Sequence, residues 1–350
     1  MRKRGWCAWL LGAFLTAALA AGCGSGEEAG NLERGMELIE QMDYENALTS
    51  FEAAALNKED MRQVYRGQGL AYMGMTDYEN AAASLEKALA LSGTAPDNLD
   101  YDINYYLATA YYRGGDTEKA IAVYRAITDL KPAEKTAWYL MGTLELEQGS
   151  TEEAQAAFDS AVAAAPNDYD LRIDIFCSCS RNGADELGTP YLQAVLDDDS
   201  RKLSDFDKGR ISFYLGSYED ARSSLEKALE TGGAEAASLL GQTYEALGDY
   251  NYAASVYSTY LSDKQPDAAL YNQLGLCKLK GGDYQAALEA FQAGLSMENS
   301  MSAQQLRFNE IVAYEYLGQY AQAKLAMEQY LSLYPDDEKA QRENVFLQTR

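Results

Sequence analysis

Residues 138–166 read WYLMGTLELEQGSTEEAQAAFDSAVAAAP, and the fold turns on this stretch. Gly149-Ser150 is a turn signal between two segments of helical length, and Pro166 closes the second, so the stretch predicts two short helices joined as a hairpin. Its small residues, Gly142, Ala154 and Ala161, and its large one, Phe158, stand at fixed offsets from one another.

Those offsets recur along the chain. With Ala154 as ruler, equivalent small residues are Ala47, Ala81, Ala120, Gly188, Ala221, Ala253, Ala287 and Ala323, separated by 32 to 36 residues except for one gap of 39 between Ala81 and Ala120. Four residues after each ruler position comes a large apolar side chain: Phe51, Leu85, Tyr124, Phe158, Leu192, Leu225, Tyr257, Phe291 and Met327. Twelve before it, most units carry another small residue: Gly35, Gly69, Ala108, Gly142, Gly209, Gly241 and Gly275, with Tyr72, Tyr111, Tyr244 and Tyr314 three positions further on. Small residues let the first helix (A) and second helix (B) of a hairpin approach closely, and the large residue is expected to fill the groove against the next hairpin. Gly114-Gly115-Asp116, Gly248-Asp249 and Gly281-Gly282-Asp283 fall where helix A should end. The 39-residue gap implies a five-residue loop insertion at residues 92–97.

This pattern is similar to the tetratricopeptide repeat: W-x2-L-G-x2-Y, then A-x3-F, then P, with a period near 34. The resemblance implies an all-α fold, an α-solenoid with a right-handed superhelix of about nine helical hairpins over residues 31–335. Residues 336–350 are expected to form a polar C-terminal capping helix. The fifth unit is the most irregular. Phe176 stands where helix A should have a small residue, and Pro190 falls inside the expected helix B, so Thr189-Pro190 is read as an N-cap and first-turn pair of a distorted repeat. The alternative is a break near residues 181–205.

In the tetratricopeptide family the A helices line a concave surface where ligand peptides lie. That resemblance carries over Arg66, Tyr105, Thr109, Tyr112, Arg113, Tyr139, Thr143, Phe206, Arg210, Phe213, Gln242 and Asn272 as candidate partner-binding residues. Aromatic and arginine side chains concentrate binding energy at interfaces, so a tyrosine-rich groove for an extended peptide or a glycan is expected. Ordinary packing between repeats accounts for aromatics at these positions equally well. Lys, Arg and Asn, which clamp a peptide's terminal carboxylate in some family members, are mostly absent here.

The N-terminus reads as an address. Arg2, Lys3 and Arg4 precede an uncharged, apolar run from Trp6 to Ala21, followed by Gly22 and Cys23. Leu19-Ala20-Ala21-Gly22-Cys23 resembles a bacterial lipoprotein signal, with Ala20 where leucine is commonest. The resemblance implies a signal peptide over residues 1–22, lipidation of Cys23 as the mature N-terminus, a flexible tether over 23–30, and an extracytoplasmic protein anchored to the bacterial membrane by its lipid. Sixteen apolar residues fall short of the roughly 20 that span a bilayer.

Composition narrows the function. The 29 Lys plus Arg against 54 Asp plus Glu give a net charge of -25, and removing residues 1–22, with three basic and no acidic side chains, takes it to -28. Such a field repels phosphate backbones, so no nucleic-acid partner is expected. No histidine occurs, which removes His-based general bases, triads and imidazole metal sites. Cys177 and Cys179 are not spaced as C-x-x-C and read as small helix A residues. The acidic groups Asp97, Asp100, Asp102 and Asp197–Asp199 lack the Gly and Glu of a calcium loop and read as solvated loops. No catalytic residue, metal or cofactor is therefore expected. The sequence points to a non-enzymatic adaptor with a protein or peptide partner, with a cell-wall polymer or exported glycan as the alternative ligand.

Overall fold

The computed structural model describes residues 30–198, 200, 202–263, 266–297 and 301–350. The expected signal segment, the expected lipidation site Cys23 and all of the expected tether but Gly30 lie outside the described residues. Among the described residues there are 19 helices and no strands. They run as successive A/B pairs: α1 (Asn31–Glu40) with α2 (Tyr44–Leu56), α3 (Met61–Gly74) with α4 (Tyr78–Leu89), α5 (Asn98–Arg113) with α6 (Thr117–Leu130), α7 (Lys135–Glu147) with α8 (Thr151–Ala164), and α9 (Tyr169–Arg181) with α10 (Asp185–Leu196). Then follow α11 (Asp205–Tyr214) with α12 (Tyr218–Ala228), α13 (Gly233–Ala246) with α14 (Tyr250–Asp263), α15 (Ala268–Lys280) with α16 (Tyr284–Leu295), α17 (Ala303–Tyr316) with α18 (Tyr320–Leu333), and a last helix, α19 (Glu338–Leu347). The chain divides into two compact units, one through Tyr191 and one from Leu192, so the division falls inside α10. Within each unit every hairpin packs on its neighbours in chain order, B helix to next A helix, as an α-solenoid.

The A-to-B turn has one backbone solution throughout. The residue five before each ruler position has positive φ: Met42 (60°), Thr76 (59°), Gly115 (89°), Gly149 (82°), Gly183 (73°), Gly216 (76°), Gly248 (85°), Gly282 (81°) and Gly318 (70°). In four hairpins the next residue is an aspartate that caps helix B: the carboxylates of Asp43, Asp77, Asp116 and Asp283 accept the backbone N–H of Asn46, Asn80, Lys119 and Ala286.

The small residue of helix A is a socket. A Cβ added to Gly69, Gly142, Gly209, Gly241 or Gly275 would stand 2.6, 2.7, 2.6, 2.2 or 2.3 Å from the side chain of Leu85, Phe158, Leu225, Tyr257 or Phe291, respectively. Each is the large residue of that glycine's own hairpin, and all five are fully buried. This corrects the expectation that the large residue serves chiefly the next hairpin: it seats first in its own. It then reaches the neighbour as well. A Cβ added to Gly35 of its own hairpin or to Gly67 of the next would stand 2.5 or 2.4 Å from the Phe51 ring, and Tyr124 shares a core cluster with Ala108 of its own hairpin and Ala137 and Met141 of the following one.

Polar ties join neighbouring hairpins beside this apolar seam. Tyr111 donates to Glu86 and Tyr244 to Glu226 Oε1 at 2.5 Å, each from a helix A back to the preceding helix B, and Gln292 Nε2 of helix B donates forward to Tyr314 Oη of the next helix A at 3.0 Å. Residues 93–97 of the insertion are exposed, and its end is tied down where α5 begins. Asp97 and Asp100 form a capping box at the start of α5, Arg62 pairs with both carboxylates, and Asp100 is 4% exposed. Arg62 holds the Asp97 carboxyl well below the usual carboxylate range.

The fifth hairpin departs from the sequence expectation. Helix α10 starts at Asp185, so Thr189 and Pro190 lie inside it rather than at its start, and Thr189 Oγ1 donates to the Asp185 carbonyl at 2.8 Å. The glycine has changed helix. With Phe176 on helix A, closeness comes from Gly188 on helix B, whose added Cβ would stand 2.8 Å from Cys179 Cβ and 3.2 Å from the Phe176 Cα. Neither Cys177 nor Cys179 is in a disulfide, and Cys179 is buried. At the other end of the chain, α19 buries Ala340 and Leu347 in a cluster with Phe308, Ile311, Met327 and Tyr330.

Two stability predictions follow from this geometry. Gly275→Ala gains about 1 kcal/mol of helix propensity but meets the Phe291 ring, and overpacking of that kind costs about 1–3 kcal/mol; a net loss of about 1 kcal/mol is expected in urea unfolding. Adding Phe291→Leu should recover part of that loss, and strict additivity of the two changes would contradict the socket. Thr76→Gly should instead stabilise by about 1 kcal/mol, because a β-branched residue is held at φ 59° at a strain of about 1–3 kcal/mol that exceeds the roughly 0.5–1 kcal/mol entropy cost of glycine. A raised urea midpoint at unchanged m-value is the readout.

Candidate functional site

All twelve candidate groove residues lie on A helices, and they divide between the two units. In the first, Arg66 belongs to α3, Tyr105, Thr109, Tyr112 and Arg113 to α5, and Tyr139 and Thr143 to α7; in the second, Phe206, Arg210 and Phe213 belong to α11, Gln242 to α13 and Asn272 to α15. Ten are half-buried, Arg113 is exposed and Thr143 is buried.

In the first unit the A helices are cross-tied. Arg66 Nε meets Asp102 Oδ2 at 2.5 Å, and the guanidinium lies 5.5 Å from the Tyr106 ring centroid. Tyr112 Oη donates to Glu147 Oε2 at 2.9 Å, joining α5 to α7. Ser178 Oγ donates to Thr143 Oγ1 at 3.2 Å, joining α9 to α7 inside the protein. Thr109 and Thr143 each donate to the carbonyl one turn back, at Tyr105 and Tyr139, by bonds of 2.9 and 3.0 Å.

The two expected groove tyrosines serve packing as well as surface. The rings of Tyr105 and Tyr124 stand 6.0 Å apart, and those of Tyr139 and Phe158 6.3 Å apart. Burial, aided by the Asp174 charge, pushes the Tyr139 phenol up to about 12, and burial raises that of Tyr105 further. Both are neutral donors at any physiological pH.

Beside Tyr139 lies a carboxylate that sequence reasoning passed over. Asp174 of α9 has its pKa raised to about 6 by burial first and then by Asp170 and Asp168, against the opposing charge of Arg181. Arg181 also acts on Tyr112 and Tyr139, so side chains of α5, α7 and α9 meet around it. Counting 35 residues on from Tyr139 and Thr143 reaches Asp174 and Ser178; the signal was present but lay in the irregular fifth unit.

The second unit's candidates are less connected. Phe206 and Arg210 stack at 5.2 Å on one helix, Phe213 packs edge-on to Tyr214 and Tyr218, Gln242 donates to Ser238 Oγ at 2.8 Å, and Asn309 donates to Asn272 Oδ1 at 2.8 Å. A shallow cleft of about 220 Å³ there is bordered by Glu226, Tyr244, Tyr252 and Val256, none of them a groove candidate. Among the described residues no three His, Cys, Asp or Glu side chains converge as metal ligands, and no helix is long and apolar enough to cross a membrane.

Repeat spacing, hairpin packing and sockets together define a helical-repeat protein. Models of the tetratricopeptide repeat match residues 32–96, 66–135, 105–169, 206–269 and 239–303, and a further one matches 308–337; the chain belongs to the tetratricopeptide repeat family. Residues 170–205, where the socket glycine has changed helix, fall outside these matches. A TPR repeat-containing protein, YpiA of Bacillus subtilis (strain 168), is 24% identical over 247 residues, 69% of this chain, and the match spans only 58% of that relative's length. Similar solved structures include a tetratricopeptide repeat protein from Parabacteroides merdae (16% identity, 72% of this chain and 98% of that one, TM-score 0.45). Another is the C-terminal part of a TPR repeat-containing protein from Cytophaga hutchinsonii (15% identity, 88% of this chain and 97% of that one, TM-score 0.35). Proteins of this family are typically non-enzymatic scaffolds that bind other proteins.

The raised Asp174 pKa has a stability consequence with a definite sign. Between about 4 and 6 the folded chain keeps a proton that the unfolded chain, with an ordinary value of 3.8, has released, so this carboxyl's contribution to stability falls as pH rises through that window. Asp174→Asn should raise Tm at pH 8 and leave it nearly unchanged at pH 4. A side-chain carboxyl titration by NMR with a midpoint below 4.5 would contradict the assignment.

Proposed function

We propose that this chain is a membrane-anchored lipoprotein of the bacterial cell envelope that acts as a non-enzymatic adaptor, gripping a protein partner on the A-helix face of its first unit. The anchor rests on the sequence alone: Arg2-Lys3-Arg4, an apolar run and Leu19-Ala20-Ala21-Gly22-Cys23. Lipidation of Cys23 would supply more than one acyl chain, enough for stable attachment. The observation that carries the binding role is the A-helix face across α5 and α7, where Tyr105, Thr109, Tyr112 and Tyr139 remain part-exposed although the hairpins beneath are closed by their own sockets. Half-buried tyrosines between fixed polar groups suit a peptide backbone with inserted side chains. A glycan platform wants rings open to solvent, and Tyr105 and Tyr139 are half-buried and packed against Tyr124 and Phe158; direct binding of a wall polymer is therefore the second reading.

Each part has its own test. Cys23→Ser should abolish palmitate labelling and move the protein from the membrane to the soluble fraction; unchanged fractionation would remove the anchor. A photo-crosslinking residue at Thr109 should capture a defined protein in intact cells, and the same residue at the exposed helix B position Glu153 should not. Capture of a species destroyed by wall hydrolases in place of a protein would favour the glycan reading. Thr109→Arg, which adds bulk while leaving both tyrosine packings in place, should reduce the protein partner's recovery about tenfold.

A further inference from the structure

The buried Ser178–Thr143 hydrogen bond fixes the register of α9 against α7. One turn earlier on each helix stand Asp174 and Tyr139. One hairpin back, Thr109 and Tyr105 occupy the positions of Thr143 and Tyr139, 34 residues earlier, and Arg66 stands 15 before its ruler residue Ala81 as Tyr105 does before Ala120. The A helices of the first unit thus carry a lateral row: Arg66, Tyr105, Tyr139, Asp174.

The two charged ends of this row are not equivalent. The Arg66 guanidinium is consumed, bonded to Asp102 and stacked on Tyr106. Asp174 is half-buried and has no ion pair among the described residues. Of the groups that face it, Tyr139 from α7 is a neutral phenol, Asp168 and Asp170 at the start of α9 are acids, with Lys135 of α7 already bonded to Asp168, and Arg181 is the one opposing cation. A half-buried carboxylate beside a tyrosine and without an ion pair of its own among the described residues is suited to receive a cation from outside.

The spacing of the row selects the shape of what lies on it. Successive A helices are tied side by side, α5 to α7 by Tyr112–Glu147 and α7 to α9 by Ser178–Thr143, so the row steps by about one helix diameter, roughly 10 Å, and a polyproline II segment advances about 9.3 Å in each three-residue turn. Every third residue of such a segment would meet successive members of the row, whereas a β-strand's two-residue alternation would fall out of step. We infer that this row seats an extended, polyproline II-like segment of the partner with a lysine or arginine on Asp174 and apolar residues three and six positions away on Tyr139 and Tyr105. The inference rests on the proposal that the A-helix face of the first unit is the partner surface, and it adds the partner's chemistry and Asp174 as the residue that sets specificity.

The full chain is titrated, by fluorescence polarisation at physiological salt, with a labelled peptide of sequence KPPLPPL and with its counterpart EPPLPPL. The lysine peptide should bind at least tenfold more tightly. Asp174→Asn should weaken it about tenfold, Asp174→Glu should restore part of the affinity, and Glu153→Gln, an acid removed from the opposite helix of a hairpin, should change nothing. Affinity of the unaltered chain should fall between pH 7.5 and 5 as Asp174 takes up a proton, and that dependence should vanish in Asp174→Asn. Equal losses from Asp174→Asn and Glu153→Gln would reduce the effect to net charge and overturn the inference, as would equal binding of the two peptides or binding of neither. Should neither bind while Thr109 still crosslinks a protein, the adaptor reading stands and the basic segment is excluded.

Discussion

The structure depends on one steric relation: in six hairpins a glycine on helix A, a position without a side chain, receives a large side chain of helix B. At Gly241 and Gly275 the clearance is so small that even a methyl group would overlap the opposing ring. The relation does two jobs at once. It brings the helices of one hairpin close enough for their backbones to touch, and it fixes where the large residue's far side emerges to meet the next hairpin, as Phe51 does at Gly67. Since each hairpin is closed locally, no distant contact is needed to define its geometry, and the repeat can be extended by adding units.

That locality explains how much could be read without coordinates. Small and large residues at offsets of 12 and 4 from a ruler are short-range facts, and they suffice for helix count, helix order and the A-to-B turns. The turn at Thr76 and Met42 shows the limit of residue type: nothing in either side chain favours positive φ, and only the period places them beside the glycines of the other units. The polar ties were not legible in the same way. Asp97, Asp100 and Asp102 look in sequence like a solvated acidic loop, yet Arg62 and Arg66, more than 30 residues earlier, absorb their charge. Pairings of that kind depend on side-chain reach across the seam, which periodicity does not encode.

The candidate groove was partly legible for a related reason. Family offsets locate residues on the A helices, and all twelve are found there, but they do not say how much of each side chain is spent on packing. Thr143 is committed to Ser178, and Tyr105 and Tyr139 give ring area to Tyr124 and Phe158. Asp174 was missed because the offsets passed over the irregular unit, where the large Phe176 replaced the expected small residue.

The irregularity at that unit and the chemistry next to it are linked. Moving the glycine from helix A to Gly188 on helix B frees α9 from supplying the socket, so its sequence can carry Phe176, Cys177 and Ser178 on successive positions while the helices still meet at Cys179. Ser178 then locks to Thr143, and the residue one turn before it is held beside Tyr139 whatever its type. A carboxylate there is costly to the fold, since burial and two neighbouring aspartates disfavour its charge. Residues that work against stability on a partly exposed face are the ones for which binding offers a reason, because a cation arriving from a partner removes the penalty that the isolated protein bears.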